Sequence, residues 1–241
     1  MSASKARKAL KNLADPVKAT HALHFFKTGK GEYGEGDKFI GVTMPMLRKL
    51  AKNFIHLNIT QLEILLHSKT HEERMLALLI LMQQFNLAKK NNNNQQQGII
   101  FNYYLSQSSY INNWDLVDVS CRDIVGGFLL DKPKKQKDIL IRLSQSENLW
   151  EKRISIVCTW QFIRENQFDY TLRISKALLK DDHDLIHKAV GWMLREVGKK
   201  DIQILMTFLQ QHYKKMPRTM LRYAIEKLEE DIRQDFLKGR V

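Results

Sequence analysis

The stretch Glu73-Arg74-Met75-Leu76-Ala77-Leu78 places a cation directly before a dense apolar run. The same pattern returns in Lys152-Arg153-Ile154-Ser155-Ile156-Val157 and in His187-Lys188-Ala189-Val190-Gly191-Trp192. The three cations recur at intervals compatible with a period of about 35–40 residues, one repeat being skipped between the first two, which is the range of two-helix HEAT-type repeats. We therefore predict an all-α fold, an α-α superhelix of HEAT-like repeats that forms a curved solenoid.

Helix start signals are frequent along the chain. Thr60-Gln61-Leu62-Glu63 and Thr70-His71-Glu72-Glu73 match the capping-box pattern. Pro45, Pro133 and Pro217 lie early in apolar-periodic segments, where a first helical turn tolerates proline. The periodicity predicts helices over residues 5–14, 16–27, 44–54, 60–67, 71–89, 95–107, 115–130, 133–145, 149–165, 168–180, 184–198, 201–213, 217–228 and 230–238. We expect residues 1–241 to form a single HEAT-like repeat domain.

The charge balance points to a polyanionic partner. Lysine and arginine total 39 and the acidic residues total 26, which gives a net charge of +13. Duplex DNA is the first choice of partner and an anionic membrane surface the second, while charge that only keeps the protein soluble is the alternative. No apolar stretch of about 18 residues is present, so we expect no transmembrane helix and no membrane partner.

Several other site types are disfavoured. Cys121 and Cys158 lie outside any C-x-x-C pair, so ordinary thiols and a cytoplasmic location are expected. His183 and His187 are four residues apart but lack an evident third ligand, so no metal site is predicted. The glycine-rich segment 28–37 lacks the P-loop order and carries acids, so a nucleotide site is not expected there and its role stays open.

The segment from Leu185 to Lys199 predicts a helix with a tryptophan away from its core side. Its buried stripe is expected to comprise Ile186, Ala189, Val190, Met193 and Val197. Trp192 falls roughly 120° from that stripe at 100° per residue, with Lys188, Arg195 and Lys199 beside it. Such a face suits cations on phosphates and an indole against a sugar or base. The alternative is a Trp192 that packs on the neighbouring repeat under lysine stems.

A second candidate lies at Asn113-Trp114-Asp115-Leu116-Val117-Asp118. Asp118 is placed at the edge of the buried stripe of the helix that follows, one turn from Trp114. A carboxylate there is partly desolvated, so it needs a partner or it titrates. The alternative is an ordinary helix start, in which Asn113 or Asp115 caps the helix and Asp118 favours its dipole.

The remaining candidates are cations. Arg153 begins a helix that is apolar on nearly every face, so it must be paired or emerge at a functional surface. Asp118, Asp115 or a DNA phosphate would serve as its partner, and an ion pair between repeats is equally compatible with the pattern. Lys214, Lys215, Arg218 and Arg222 form a C-terminal basic cluster that either contacts a DNA backbone or is a solvated face.

Taken together, these segments resemble the DNA alkylation repair family of HEAT-like repeat glycosylases, the AlkD-type enzymes. The strongest stretch is 113–118, followed by Ile124-Val125-Gly126. Supporting stretches are Phe39-Ile40-Gly41-Val42 with Leu47-Arg48-Lys49-Leu50, then 152–157, and 186–196. The resemblance spans nearly the whole chain, and the order and spacing of its pieces make it specific.

The resemblance implies a function and a set of site residues. It implies excision of cationic N-alkylated purines, such as 3-methyladenine and 7-methylguanine, from duplex DNA in base excision repair, without metal or organic cofactor. Asp118 matches the catalytic aspartate of the family, and Trp114 and Trp192 match its two active-site tryptophans. Arg153 matches its DNA-contacting arginine and Arg195 a further cation. Where AlkD-type enzymes place an aromatic hydroxyl, this chain has Phe25 or Phe26.

We accordingly expect a monomeric DNA glycosylase whose catalytic residues Asp118, Trp114 and Trp192 meet Arg153 in one open cleft on the concave side. Its expected DNA-binding residues are Arg153, Arg195, Lys188, Lys199, Arg218 and Arg222. One alternative is a non-catalytic HEAT-repeat protein that binds bent or branched DNA, since it shares charge and fold. Another is a protein-binding helical scaffold, which the net charge of +13 argues against.

Overall fold

The computed structural model describes all 241 residues, and every regular element in it is helical. The all-α prediction is therefore confirmed. A single isolated bridge, between Lys38 and Thr70, is the one strand-like pairing. The α-helices are α1 Ala3–Lys11, α2 Pro16–Phe25, α3 Met44–Asn53, α4 Ile59–Leu66, α5 His71–Lys90, α6 Asn94–Ser106, α7 Trp114–Cys121, α8 Gly127–Leu129, α9 Lys134–Lys137, α10 Ile139–Ser144, α11 Leu149–Val157, α12 Trp160–Arg164, α13 Asp169–Ala177, α14 Asp184–Lys200, α15 Ile202–His212, α16 Arg218–Ala224 and α17 Glu230–Lys238.

The chain divides into two compact units, residues 1–120 (unit 1) and residues 121–241 (unit 2). The division falls within the last turn of α7. The expectation of one repeat domain over residues 1–241 is not tested by this division and stays a prediction.

Unit 1 is organised around α5, which packs against α3, α4 and α6. From Met75 to Leu81 every residue of α5 is buried, so this stretch of the helix is apolar on all sides and lies inside the unit. The loop that precedes α3 passes close to α2 at Gly41. A β-carbon there would lie 2.0 Å from the Asp15 carbonyl oxygen, and the φ angle of +81° also favours glycine.

The capping boxes predicted for unit 1 are wrong in both places. α4 begins earlier than expected, because Asn58 is its N-cap and accepts a hydrogen bond from the Gln61 N–H at 3.0 Å. Thr70 does occupy the N-cap of α5, but its side chain makes no capping bond. The Glu73 carboxylate instead binds Arg7 of α1. A contact distant in sequence thus replaces the local one.

Unit 2 is organised around α14, which packs against α11, α13, α15 and α16, and also against α12. The predicted stripe of α14 is buried throughout, as are Leu185, Gly191 and Leu194. Gly191 permits a close approach of α16, since a β-carbon there would lie 2.4 Å from the Met220 carbonyl oxygen. Both cysteines are fully buried in this unit.

Three predicted helices are interrupted. The segment expected at 115–130 contains a π-helical turn at Arg122–Gly126 before α8. At the end of that turn Gly126 comes so close to Cys158 that a β-carbon would lie 2.3 Å from the Cys158 carbonyl oxygen. The segment expected at 149–165 is divided at residues 158–159, next to this contact. The segment expected at 133–145 is divided at Asp138, whose carboxylate accepts a bond from the Tyr170 hydroxyl at 2.8 Å.

Candidate active site

The first two turns of α7 carry two of the predicted catalytic residues. Trp114 is its first residue and Asp118 follows four positions later, so the two lie about 40° apart on one face of the helix. Both are half-buried, while Leu116 and Val117 on the other side are fully buried in unit 1. The amphipathic pattern of α7 therefore fixes which face presents Trp114 and Asp118.

Trp114 lies among aromatic side chains from the first forty residues. The Phe26 ring stacks on it with centroids 5.4 Å apart, and the Phe25 ring meets it edge-on at 5.7 Å. The indole Nε1–H donates a hydrogen bond to the Tyr33 hydroxyl oxygen at 3.2 Å. The indole is thus fixed by two rings and a hydroxyl, all of them distant in sequence.

This aromatic cluster runs from the surface into unit 1. Phe25 is 65% exposed, and no residue of α2, to which it belongs, is buried. Behind it, Phe26 stacks on Phe39 with centroids 5.0 Å apart, and Phe39 stacks on His71 at 4.6 Å. An exposed aromatic ring next to a held indole is a surface on which a base or sugar can pack.

Beneath the aromatic cluster, the buried His71 joins two carboxylates. Its Nε2 lies 2.8 Å from Asp115 Oδ2, and its Nδ1 lies 3.3 Å from Asp37 Oδ2. Burial acts to lower the pKa of His71, but the bonds to Asp115 and Asp37 outweigh it and raise the pKa above its ordinary value. The imidazole therefore favours its charged form.

Asp37 is the shared acceptor of this network. Its Oδ1 accepts from Arg74 Nη2 at 2.7 Å, and its Oδ2 accepts from Asn113 Nδ2 at 3.3 Å as well as facing His71. Burial acts to raise the pKa of Asp37, but the bonds and charges of His71 and Arg74 hold it below its ordinary value. Asp37 therefore stays ionised inside the unit.

Asp115 bonds on both of its carboxylate oxygens: Oδ1 accepts from the Leu116 N–H at 2.8 Å in the first turn of α7, and Oδ2 faces His71. Asn113 is fully buried, and its Oδ1 accepts from the Trp114 N–H at 2.8 Å. Both sequence neighbours of Trp114 are consequently tied to the His71–Asp37 network. A cavity of about 160 Å³ opens beside it, with Phe26, Phe39, His71 and Asp115 in its lining.

The other predicted site residues belong to unit 2. Trp192 lies half-buried on α14, away from the buried stripe, as its position in the helix predicted. Lys188 forms an ion pair with Asp184 at 2.7 Å, and Arg195 forms one with Glu226. The Lys199 ammonium lies 2.7 Å from Glu196. These cations are thus paired with acids of their own unit.

Arg153 is buried, with 4% of its surface exposed. Its Nη1 donates to the Leu185 carbonyl oxygen at 2.5 Å, so it bonds the start of α14. Of the C-terminal cations, Arg218 donates to the Leu237 carbonyl oxygen at 2.9 Å and Arg222 is exposed on α16. The DNA-binding role of each stays a prediction, and an exposed Arg222 suits it better than a buried Arg153 does.

Sequence reasoning missed the part of the site that the glycine-rich segment supplies. Tyr33 and Asp37 belong to that segment, and His71 and Arg74 were noted only as members of a capping pattern and a repeat. The one signal available was the run of four titratable residues directly before a long apolar run in the same helix, because such groups are rarely buried without partners.

No helix of the chain is both long and apolar enough to cross a membrane. No group of three or more histidine, cysteine or acidic side chains is arranged so that it could hold a metal ion.

Comparison with known proteins identifies the family. The family model described as DNA alkylation repair enzyme matches residues 6–228. Among solved structures, one described as "Predicted DNA alkylation repair enzyme from Enterococcus faecalis" is similar with a TM-score of 0.69 and 16% identity, over 90% of this chain and 97% of that one. This likeness shows a shared fold, and no curated protein matches the chain. Because the family model covers nearly all of the sequence, the chain belongs to the DNA alkylation repair enzyme family.

Proposed function

We propose that this protein is a DNA glycosylase that releases cationic N-alkylated purines, such as 3-methyladenine and 7-methylguanine, from duplex DNA. One observation carries the proposal: Trp114 and Asp118 share one half-buried face of α7. That placement leaves the carboxylate of Asp118 neither fully buried nor fully exposed. Membership of the family supports a role in the repair of alkylated DNA.

The chemistry asks little of the protein beyond a placed negative charge. Alkylation at N3 or N7 makes the purine a cation, so the bond between C1′ of the sugar and N9 breaks with its electron pair going to the base. The base leaves neutral, and positive charge develops on the sugar. Water then adds to C1′ and loses a proton. A carboxylate near C1′ stabilises the developing cation and can orient that water.

Each site residue has a proposed role. Asp118 would stabilise the sugar cation, and Trp114 and Trp192 would shield it from bulk water and attract positive charge through their π faces. Arg195, Lys188, Lys199, Arg218, Arg222 and Arg153 would hold phosphates without reading the base sequence. Neutral damaged bases should be poor substrates, because no acid is proposed to protonate them.

The test is base release from methylated duplex DNA by the Asp118→Asn variant. We expect release of 7-methylguanine to fall about tenfold or more, the scale of one lost electrostatic contact, while DNA affinity is kept. The matched control is Asp123→Asn, a half-buried acid of the π-helical turn with no proposed role. Unchanged release by the Asp118 variant would remove that residue from the mechanism. DNA binding without release by the wild type would indicate a non-catalytic DNA-binding protein instead.

A further inference from the structure

The glycine-rich segment 28–37 forms hydrogen-bonded turns that position Tyr33 and Asp37. The Gly34 N–H donates to the Lys27 carbonyl oxygen at 3.2 Å, and a β-carbon on Gly34 would lie 2.5 Å from the Phe26 carbonyl oxygen. The Asp37 N–H donates to the Gly34 carbonyl oxygen at 3.1 Å. The position of Asp37 is therefore coupled through one turn to the residue next to Tyr33.

His71 connects this segment with the start of α7. On one side it faces Asp37, and on the other it faces Asp115, the residue directly after Trp114. Asn113, directly before Trp114, also bonds to Asp37. The backbone adds one fixed point, since the His71 N–H donates to the Lys38 carbonyl oxygen at 2.8 Å.

The connection depends on one proton. Each imidazole nitrogen faces a carboxylate oxygen, which can only accept a hydrogen bond, so only the doubly protonated ring donates to both carboxylates. Nδ1 also lies 3.4 Å from the Arg74 Nη2 donor, which would face the ring nitrogen once that proton is lost. Loss of either proton would leave a lone pair opposite a carboxylate. The other charged groups nearby are Arg74, which opposes protonation, and Glu72 and Lys18, which line the same cavity.

We propose that His71 is a positioning residue whose protonated ring bonds both Asp37 of the glycine-rich segment and Asp115 of α7. We call this pair of bonds the clasp. It keeps Tyr33 in place, so that Tyr33 holds the Trp114 indole in position for base release. The last part of this proposal rests on the proposed glycosylase function. His71 itself is 3% exposed, so it acts through Trp114 and does not touch DNA.

The direction of the pKa shift agrees with this role. Because the folded-state pKa of His71 is raised above 6.5, the clasp should be complete below pH 6.5 and should open as the pH rises through the raised value. Because the neutral ring keeps one N–H, opening would break the bond to one of the two carboxylates and so loosen one side of the support of the Trp114–Tyr33 contact.

The experiment follows Trp114 directly by ¹⁹F NMR of protein labelled with 5-fluorotryptophan. The chain has four tryptophans, and Trp114→Phe assigns the signal. In the wild type we expect the Trp114 signal to be constant in mild acid and to shift in one step above pH 6.5. Tyr33→Phe serves as the reference for a lost indole bond, and the high-pH wild-type signal should move toward it. His71→Gln should lack the step. A wild-type signal that stays constant to pH 9, or a step that persists in His71→Gln, would overturn the proposal.

A second variant covers the case in which His71→Gln does not fold. Asp115→Asn keeps an acceptor near His71 but removes one charge, so the midpoint of the Trp114 step should move to lower pH. An unmoved midpoint would contradict the clasp.

Activity provides the remaining comparison. Base release by the wild type should slow with the same midpoint as the fluorine step, and His71→Gln should be about tenfold slower or more without that pH dependence, as expected for a misplaced active-site group. If the wild type releases no base at any pH, the glycosylase proposal fails while the fluorine data still decide on the clasp.

Discussion

The N-terminal ends of α5 and α14 both carry charged residues, but these residues are buried in α5 and exposed in α14. In unit 1, His71, Glu72, Glu73 and Arg74 are each no more than 4% exposed. In unit 2, Asp184 and Lys188 pair with each other one turn apart, with roughly half of each side chain exposed. The same kinds of charged residue are thus buried in one helix start and solvated in the other.

The two helix ends differ in the segments that their charged side chains bind. Glu72 accepts N–H bonds from Ile40, Gly41 and Val42, with the shortest at 2.7 Å, and so fixes the loop before α3. The other three residues bind Arg7, Asp37 and Asp115, as described above. The start of α5 therefore binds several segments of unit 1 that are distant in sequence. Removing these four side chains from water costs free energy, and their bonds offset that cost only if every partner is present. The pair on α14 lies within one turn of that helix, and Asp184 adds a single side-chain bond to Thr219 of α16.

The largest expected effect comes from breaking one of the buried pairs. Arg74→Met should lower the free energy of unfolding by about 3–5 kcal/mol, because Asp37 would be left as a buried charge with one cation fewer. Lys188→Met, the matched change on α14, should cost no more than about 1 kcal/mol. Urea unfolding followed by circular dichroism measures both. Equal losses would show that burial does not distinguish the two helix starts.

An intermediate effect should separate buried from exposed cations in DNA binding. Arg222→Gln should leave stability unchanged and reduce the slope of log affinity against log salt by about 0.9, the value for one phosphate contact. Arg153→Met should instead destabilise unit 2, because the Leu185 carbonyl would lose its buried donor. Fluorescence anisotropy with duplex DNA from low to moderate salt gives the slopes. A folded Arg153→Met with a reduced slope would restore that arginine to the DNA surface.

The smallest effect should be the pH dependence of stability, because His71, with a raised pKa, is opposed by His183 and His212, whose pKa values are lowered mainly by desolvation. His71, with a raised pKa, contributes stability that is complete below pH 6.5 and is lost as the pH rises through its folded-state pKa. Desolvation lowers the pKa of His183, the N-cap of α14, so its contribution is present above pH 6.5 and is lost as the pH falls. Urea midpoints measured from pH 5 to 9 should show a maximum.

A single variant isolates the contribution of His183. His183 Nδ1 accepts from the Leu185 N–H at 3.1 Å, and asparagine can supply the same acceptor without titrating. His183→Asn should therefore remove part of the loss in acid and leave the loss in base intact. An unchanged acid limb would mean that His183 does not contribute to it.

The sequence predicted what periodicity controls. The helices of both units and the buried stripe of α14 follow from the 3.6-residue repeat, because the apolar residues that define it lie on one face of a helix and are stabilised by burial. Interruptions of helices were not predictable in this way, since the division next to Cys158 coincides with the approach of Gly126, which lies 32 residues earlier.

The candidate site was predictable only in part, and for the same reason. Trp114 and Asp118 lie on one helix, so their spacing alone placed them on one face. Tyr33 reaches Trp114 across 81 residues, and no local pattern encodes such a contact. The glycine-rich segment showed a need for unusual turns, but a turn-rich segment carries no information on which distant helix receives its side chains.

The burial of both sulfhydryl groups has a chemical consequence for a protein of this family. Cys121 and Cys158 have no exposed surface, and burial raises the pKa of the Cys158 thiol above its usual range. Since the thiolate is the nucleophilic form, a reagent that methylates DNA finds no reactive cysteine here. Cells would meet such a reagent with this repair protein still unmodified at its cysteines, at the very moment when lesions accumulate.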